Sequence, residues 1–462
     1  MSREVLLFVD LPTGHTVQAA ELRFETNAGG ALISTQVRLT EAWLTHPQRY
    51  ELCPEIALVD GWQRFTGVRI IPGVIDDTAP DRWGRNLMFN AERTAANAEG
   101  RRVRTFTEAD YVLGVDDRTR LGNLRFSDSP GGPFLSEPRD GVPQMVDLRL
   151  LVEAAGRLEA ARATPSDLDR LVAAGTSMGG ARPKVGVIDA GGELALAKFP
   201  QRDDDWDVEA WEAVALRLAR SCGIPTPDFT HHRLDADRSV LVSRRFDRAG
   251  PRRYGYISAD TLLEKRPDEV VSYVELVETA GDKAAEPPSL REGLFRRIAF
   301  TLLIGNVDDH MKNHGLIRET NGWAWSPVFD VNPWPEQRPV ESTPITPGGP
   351  STGRSVDELV EAAPSFGLTS DQAVAIVADV EAGSRDWAAV AESFGIEDPA
   401  GGLLATAFEN DNRRTARSWA DRLRIDAAIR DGLANPHDSQ GWVRPHLRNG
   451  RPVAAYRRRP RR

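Results

Sequence analysis

The chain has very little cysteine and no long uninterrupted hydrophobic segment. Its two cysteines among 462 residues, Cys53 and Cys222, are too few for a disulfide framework or for a zinc site of their own. No segment approaches the roughly 18 apolar residues that a transmembrane helix needs. The N-terminus MSREVLLFVD also lacks the basic region that begins a signal peptide. We therefore expect a cytoplasmic protein without a membrane span.

Acidic residues outnumber basic ones, 68 to 58. The net charge of −10 argues against a protein that coats nucleic acid by itself. The exception is the segment 444–462, which carries eight arginines and no acid. Residues 436–462 are predicted to be a disordered tail, which either solubilises the chain or contacts nucleic acid or an acidic partner. With 462 residues, the chain is too long for a single core, so we expect two or three domains.

One stretch, Phe300–Pro335, combines apolar runs with a dense polar cluster. Asp308 follows the first apolar run, Asn313 comes five residues later, and a second short apolar segment leads to Asp330. Kinase catalytic loops have this order, with an Asp facing the attacking hydroxyl and an Asn and a later Asp binding magnesium. The alternative is a solvated loop between a helix and a hairpin.

A glycine-rich segment could supply the nucleotide site that such a loop needs. Residues 175–184, GTSMGGARPK, precede a predicted strand and contain Gly179 and Gly180. Glycines let backbone N–H groups approach phosphates closely, and Ser177 and Lys184 lie nearby. A Gly-Gly pair is also common in ordinary turns.

Lys198 is a single lysine near the end of the apolar strand ALAKFP. A buried ammonium group requires an anion, so Lys198 needs a phosphate or a carboxylate unless it reaches the surface. The next predicted helix, Asp207–Cys222, carries Glu212 beside its apolar face, and Glu209 lies one turn earlier. Either glutamate could pair with Lys198, or both could be exposed.

The secondary-structure prediction is mixed at first and mostly helical after residue 259. The N-terminal part contains a strand pair at Val5–Asp10 and Thr16–Arg23, a third strand at Arg69–Ile71 and a helix N-cap at Thr107. The segment Ile75–Asn90 is expected to be helical after Pro80. The middle part contains a helix, a hairpin and a strand, at Val146–Ala163, Val185–Ile188, Leu194–Phe199 and Ser239–Phe246.

Five helices are predicted beyond this point, at Asp268–Ala280, Leu290–Ile304, Ser355–Ala363, Ser370–Ala382 and Leu403–Leu423. Either Thr369 or Ser370 could cap the fourth of them. A hairpin is expected at Trp323 and Trp325. The Pro- and Gly-rich loop Gln337–Arg354 is predicted to be mobile and to face the substrate.

Taken together, these motifs resemble the HipA family of bacterial serine/threonine kinases, many of which are toxins of toxin–antitoxin pairs. The resemblance covers roughly residues 65–430. It is strongest in Ser177–Lys184, Arg245–Arg248 and Asn306–Gly315. The motifs are specific in combination and in this order, although each alone is not.

The resemblance implies a role for each predicted site residue. Asp308 would be the catalytic aspartate, and Asn313 and Asp330 would bind magnesium. Lys198 would contact the α- and β-phosphates of ATP, with Glu212 as its ion-pair partner because of its position eleven residues before Gly223.

Ser177 matches a loop serine that some members of the family autophosphorylate. The residues implied to surround the nucleotide are Ser177, Gly179, Gly180, Lys184, Lys198, Phe246, His310 and Asn313. His310 and Asp309 would also support the loop rather than react. Members often carry an acidic residue where this chain has Arg244, which weakens any detailed expectation about adenine contacts.

The implied fold is α+β and two-lobed, like a protein kinase. Its expected parts are a small mixed domain (1–130), a β-containing nucleotide lobe (144–250), a helical catalytic lobe (251–435) and the basic tail (436–462). The implied partners are a small helix-turn-helix antitoxin, which would give indirect access to DNA, and a protein substrate such as an aminoacyl-tRNA synthetase. Two alternatives remain, a catalytically silent nucleotide-binding partner of an antitoxin and a kinase for a small molecule or lipid.

Overall fold

The computed structural model describes residues 2–136, 142–174, 182–235, 237–266, 269–335 and 342–430, and the backbone of short segments beyond residue 441. The fold is α+β, as predicted. Two compact units are present. The first comprises Met1–Glu209, Pro227–Glu269 and His314–Ser326, and the second comprises Ala210–Thr226, Val270–Asn313 and Pro327–Arg462. The predicted domain boundaries stay predictions.

The strands are β1 (Ser2–Asp10), β2 (Thr16–Thr26), β3 (Leu32–Leu39), β4 (Trp62–Phe65), β5 (Leu124–Ser127), β6 (Lys184–Ile188), β7 (Leu194–Lys198), β8 (Phe229–Arg233), β9 (Ser239–Arg244), β10 (Arg248–Ala249), β11 (Arg252–Arg253), β12 (Tyr256–Ser258), β13 (Gly315–Arg318), β14 (Trp323–Trp325), β15 (Trp442–Val443), β16 (His446–Arg448), β17 (Arg451–Val453) and β18 (Tyr456–Arg457).

The helices are α1 (Glu41–Leu44), α2 (Gly73–Asp76), α3 (Arg82–Glu99), α4 (Glu108–Gly114), α5 (Leu148–Glu159), α6 (Pro165–Ala173), α7 (Val208–Ser221), α8 (Ala259–Leu262), α9 (Tyr273–Lys283), α10 (Pro287–Leu303), α11 (Val356–Glu361), α12 (Ser370–Ser384), α13 (Trp387–Ser393), α14 (Ala405–Phe408) and α15 (Asp411–Arg430). Short 3₁₀ turns occur at Gly67–Arg69, Met145–Asp147, Met311–Asn313 and Ala363–Phe366.

The N-terminal sheet has the strand order β4-β3-β2-β1-β5, and every pairing in it is antiparallel. Val5, Leu7 and Val9 are buried along β1, which is the two-residue period of a strand with one covered face. The predicted pair β1–β2 is thereby confirmed. The predicted strand at Arg69–Ile71 is wrong, because this short run enters a 3₁₀ turn and the guanidinium of Arg69 donates to Glu55 at 2.9 Å.

A second antiparallel sheet, in the order β6-β7-β9-β8, contains the predicted hairpin β6–β7. One face of it is covered by α3, α5 and α6, whose apolar side chains form a single core with Val185 and Ala197 of the hairpin. The strand predicted at Ser239–Phe246 ends earlier, at Arg244, because Arg245 and the residues after it enter a buried ion cluster.

Helix capping settles one open alternative. Thr369, not Ser370, caps α12, in a capping box with Gln372. Thr107 caps α4 in the same way, as predicted. The single helix predicted over Leu403–Leu423 is wrong, because the helix is interrupted between α14 and α15. There the side-chain oxygen of Asn410 accepts a hydrogen bond from the backbone N–H of Arg413 at 2.9 Å.

Buried charges cluster at the end of β9. The carboxylate of Asp247, which is fully buried, accepts hydrogen bonds from Arg245 at 2.6 and 2.7 Å, from Arg248 at 2.6 Å and from the backbone N–H of Gly122 at 2.7 Å. Burial alone would raise the pKa of Asp247, but the two guanidinium groups lower it to about 2. The cluster therefore fixes the turn at this end of the strand to the segment around Gly122.

We expect Asp247→Asn to lower the free energy of unfolding by about 3–5 kcal/mol, because it leaves two guanidinium groups buried without a counter-charge. Since the folded-state pKa is lowered, the wild-type contribution is present above the unfolded value of about 3.9 and is lost as the pH falls toward 2. Urea unfolding measures the difference. Asp235→Asn, which breaks the exposed pair with Arg238, is the matched control and should change stability little. Equal effects of the two substitutions would contradict the interpretation.

The described part of the tail departs from the predicted disorder at a few positions. β15 pairs with β18, and β16 pairs with β17, both antiparallel. Other residues of the tail lie outside the described part. Among the described helices, none has the length and apolar character required to cross a membrane.

Candidate active site

The loop that follows α10 carries Asp308 and Asn313, and hydrogen bonds between its own residues stabilise its conformation. The side-chain amide of Asn313 donates to the backbone oxygen of Asp308 at 2.8 Å, and its backbone N–H donates to the backbone oxygen of His310 at 2.8 Å. Since the amide nitrogen is used in this way, the amide oxygen is the atom that can face a cation. The side chain of Asp308 is exposed and therefore accessible to a substrate hydroxyl.

Gly305 sets the start of this loop. Its φ of +64° lies in the left-handed region, and a Cβ there would come within 2.8 Å of the backbone oxygen of Ala407. The backbone oxygen of Gly305 also accepts a hydrogen bond from the N–H of Trp334 at 3.1 Å. The segment that follows Asp330 is therefore tied to the beginning of the loop that carries Asp308.

Asp330 has a φ of +52°, which is uncommon for a residue other than glycine. Its backbone N–H donates to Oε1 of Glu212 at 3.1 Å, and Glu212 is itself buried. Non-glycine residues held in this region concentrate at functional sites, where surrounding contacts maintain the conformation. The structure therefore brings together two of the predicted site residues across 118 positions of sequence.

Asp309, unlike its neighbour Asp308, is buried, and its carboxylate accepts a hydrogen bond from the hydroxyl of Tyr273. Its backbone oxygen accepts the N–H of Thr343 at 3.1 Å and the hydroxyl of Thr343 at 2.8 Å. These contacts agree with the expected supporting role of Asp309. These hydrogen bonds hold the loop Gln337–Arg354 at Thr343, where it was predicted to be mobile. Residues 337–341 of the loop lie outside the described part, and its predicted orientation toward the substrate stays a prediction.

Lys184 and Lys198 occupy directly opposed positions on β6 and β7. Both are buried, and opposed residues of an antiparallel pair project from the same face. The carboxylate of Asp81 lies 3.6 Å from the ammonium of Lys184. The two ammonium groups therefore belong to one buried face of the hairpin.

Glu209, the alternative partner for Lys198, binds a different cation. Its Oε1 accepts from Arg182 at 2.9 and 3.1 Å, and Arg182 also binds Asp204 at 2.6 and 2.7 Å. Burial raises the pKa of Glu209 to about 7 against the opposing effect of Arg182. The pairing of Lys198 with Glu212 stays a prediction.

The glycine-rich segment cannot be placed, because Ser177, Gly179 and Gly180 lie outside the described residues. Phe246 packs against Tyr256 with ring centroids 6.0 Å apart, within a small apolar cluster. His310 is exposed. The adenine contact expected of Phe246 and the nucleotide contact expected of His310 stay predictions.

A magnesium ion would have few protein ligands here. Within the described ranges, no group of three or more His, Cys, Asp or Glu side chains is arranged to hold a metal. Mg²⁺ commonly binds through one or two carboxylates and keeps water or substrate phosphates as its other ligands. The amide oxygen of Asn313 and the carboxylate of Asp330 fit that mode of binding.

Tyr273, Arg182 and Arg354 were not predicted. Tyr273 begins α9 after the N-cap Ser272, and Arg354 ends a loop rich in proline and glycine. Neither position has a local sequence signal, because their contacts are with residues far away along the chain. Arg182 belongs to the glycine-rich motif, but only the structure shows that it forms ion pairs with Asp204 and Glu209.

Comparisons with known proteins agree with the motifs. Residues 176–387 match the family model of the HipA-like C-terminal domain. No curated protein matches the chain. The fold is similar to that of HipA from Shewanella oneidensis MR-1, solved with HipB and operator DNA, at 16% identity and a TM-score of 0.61, over 92% of this chain and 99% of that one.

A weaker similarity is to the Helicobacter pylori proinflammatory kinase CtkA. The identity is 16% and the TM-score 0.38, over 56% of this chain and 95% of that one. The segment that the family model matches includes Lys198, Glu212, Asp308, Asn313 and Asp330. The match over residues 176–387 agrees with the resemblance to the HipA family.

Proposed function

We propose that this protein is an ATP- and Mg²⁺-dependent serine/threonine kinase of the HipA type that acts as a growth-inhibiting toxin. The observation that carries the proposal is the hydrogen bond from the N–H of Asp330 to Glu212. It joins the predicted metal ligand to the helix that bears the predicted partner of Lys198. A solvated loop would not require a buried glutamate to hold an aspartate in a left-handed conformation.

In this proposal, each described residue has a distinct task. Asp308 orients the substrate hydroxyl and accepts its proton. Asn313 and Asp330 bind magnesium, which neutralises charge on the phosphates when it is bound. Lys198, with Lys184 on the same face, provides positive charge for the phosphates. Catalysis then consists mainly of positioning and electrostatic stabilisation.

The test is incubation of the purified protein with magnesium and ATP labelled on either the γ- or the α-phosphate. A kinase transfers label to itself or to lysate proteins from γ-labelled ATP only, and chelation of magnesium stops the transfer. A catalytically silent nucleotide-binding protein would retain nucleotide without transferring label. Label on lipids or small metabolites alone would indicate a different acceptor class and would overturn the protein-kinase assignment.

We also propose a small DNA-binding antitoxin as partner. The similar Shewanella protein was solved in a complex with HipB and operator DNA. The acidic charge of this chain, −10 overall, suits access to DNA through such a partner rather than directly. A protein substrate, with an aminoacyl-tRNA synthetase as the candidate that the family suggests, completes the proposed set of partners.

Substitutions of Glu212 separate its two proposed roles. Glu212→Gln keeps an oxygen that can accept the N–H of Asp330 but removes the negative charge that is proposed to pair with Lys198. We expect it to retain magnesium-dependent ATP affinity within about threefold and to lose about tenfold or more in kcat. Glu212→Ala removes both interactions, so ATP affinity should also fall about tenfold. Calorimetric titration at several magnesium concentrations measures the affinities, and equal affinities for the two variants would contradict the role of the hydrogen bond.

A further inference from the structure

A buried polar network holds Asn306 and Asp309, which lie on either side of Asp308 in its loop. The Tyr273 hydroxyl donates to the Asp309 carboxylate, and Nη1 of Arg354 donates to the same hydroxyl oxygen at 3.3 Å. Nη2 of Arg354 donates to the backbone oxygen of Asn306 at 3.2 Å. One guanidinium and one phenol thus hold positions 306 and 309, and Asp308 lies between them.

The network is sealed from solvent. Tyr273 is 0% exposed, Asp309 and Asn306 3%, and Arg354 8%. Arg297, which is 4% exposed, adds positive charge close to Asp309. Buried polar groups of this kind hold a unique arrangement when each has a partner, because breaking one contact leaves another group unpaired in a low-dielectric environment.

The same network holds the segment Ser342–Ile345. Arg354 donates to the backbone oxygen of Thr343 at 3.1 Å, and Thr343 donates twice to the backbone oxygen of Asp309. The backbone N–H groups of Tyr273 and Val274 donate to Pro344 and Ile345 at 3.0 and 3.1 Å. Residues 342–345 therefore lie between the start of α9 and the loop, hydrogen-bonded to both.

We propose that Tyr273 and Arg354 are positioning residues that fix the backbone on which Asp308 is mounted. They do not contact the reacting atoms and act through Asn306, Asp309 and the segment Ser342–Ile345. The geometric part stands on these contacts alone, and its consequence for catalysis rests on the kinase function proposed above. A displacement of about 1 Å at a reacting group can lower a rate about a hundredfold, so loss of this anchor should slow transfer strongly.

Tyr273→Phe is the principal variant, because it removes one hydroxyl and keeps the ring. We expect kcat to fall about 10- to 100-fold, while the KM for ATP changes less than about threefold. Amide hydrogen exchange of residues 305–313 should accelerate at least about tenfold. The matched control is Tyr50→Phe, which removes another buried hydroxyl, the one that exchanges hydrogen bonds with Asn123. It should leave both kcat and the exchange of this loop unchanged.

Arg354→Lys is the second variant and covers a failure of Tyr273→Phe to fold. An ammonium group keeps the charge but cannot reach three acceptors in the planar arrangement of a guanidinium. We therefore expect Arg354→Lys to show the same acceleration of exchange and the same fall in kcat as Tyr273→Phe. Unchanged exchange of residues 305–313 in either folded variant would overturn the anchor. Faster exchange with unchanged kcat would overturn its positioning role. A wild-type protein that transfers no phosphate would refute the kinase function, and hydrogen exchange would still decide whether the anchor exists.

Discussion

Asp308→Asn should lower phosphate transfer about a thousandfold, to below detection in a gel assay, while ATP still binds. The asparagine retains the size of the side chain but cannot accept the proton of a substrate hydroxyl, and general-base contributions are typically 10²- to 10⁴-fold. Asp308 is exposed, so the substitution removes no buried contact and should leave the melting temperature unchanged. Transfer of γ-labelled phosphate and calorimetric ATP binding are the two measurements.

Asp371→Asn is the control for this experiment. Asp371 is exposed at the first turn of α12 and has no place in the proposed site. It should retain full transfer activity. Transfer by the Asp308 variant at the wild-type rate would eliminate Asp308 as the base and, with it, the assignment of the loop.

The second large effect is expected for Asp330→Asn. An amide oxygen without charge is a poorer ligand for Mg²⁺ than a carboxylate, so magnesium-dependent ATP affinity should fall about 10- to 100-fold. The backbone should be little disturbed, because asparagine tolerates the left-handed conformation that Asp330 adopts, with a φ of +52°. In the presence of a chelator, the variant and the wild type should bind ATP equally.

The chain offers a matched control in Asp398, which is exposed and also has a positive φ, of +43°. Asp398→Asn makes the same chemical change on the same kind of backbone, outside the proposed site. Its ATP affinity should equal that of the wild type at every magnesium concentration. If the two variants behave alike, the carboxylate of Asp330 does not bind the metal.

Local patterns in the sequence predict much of the fold. The alternation in β1, the hairpin β6–β7 and the capping box at Thr107 each depend on neighbouring residues, so each could be identified without a structure. β3 was missed because Ser34 and Thr35, which are buried polar residues, interrupt its apolar alternation. The false strand at Arg69 shows the converse, since an apolar β-branched run can also occur in a turn that a long-range ion pair holds.

In the candidate site, too, local features could be predicted from the sequence and long-range contacts could not. The spacing of Asp308 and Asn313 is local and predicts the loop. The contact between Glu212 and Asp330 depends on tertiary structure, and only the family resemblance indicated that both residues belong to one site. Arg354 could not be found from sequence, since its acceptors are the distant phenol of Tyr273 and two backbone oxygens, those of the distant Asn306 and of Thr343 in the same loop. Every residue has a backbone carbonyl oxygen, so the residue type does not indicate which of them accepts a hydrogen bond.

The most direct test of the central claim is intact-mass and peptide mass spectrometry of the wild-type protein and Asp308→Asn, each mixed with a lysate, ATP and magnesium. We expect phosphoryl groups on serine or threonine residues of one or a few proteins with the wild type, and none with the variant. Identical phosphorylation with both proteins, or no magnesium-dependent phosphorylation with the wild type, would contradict it.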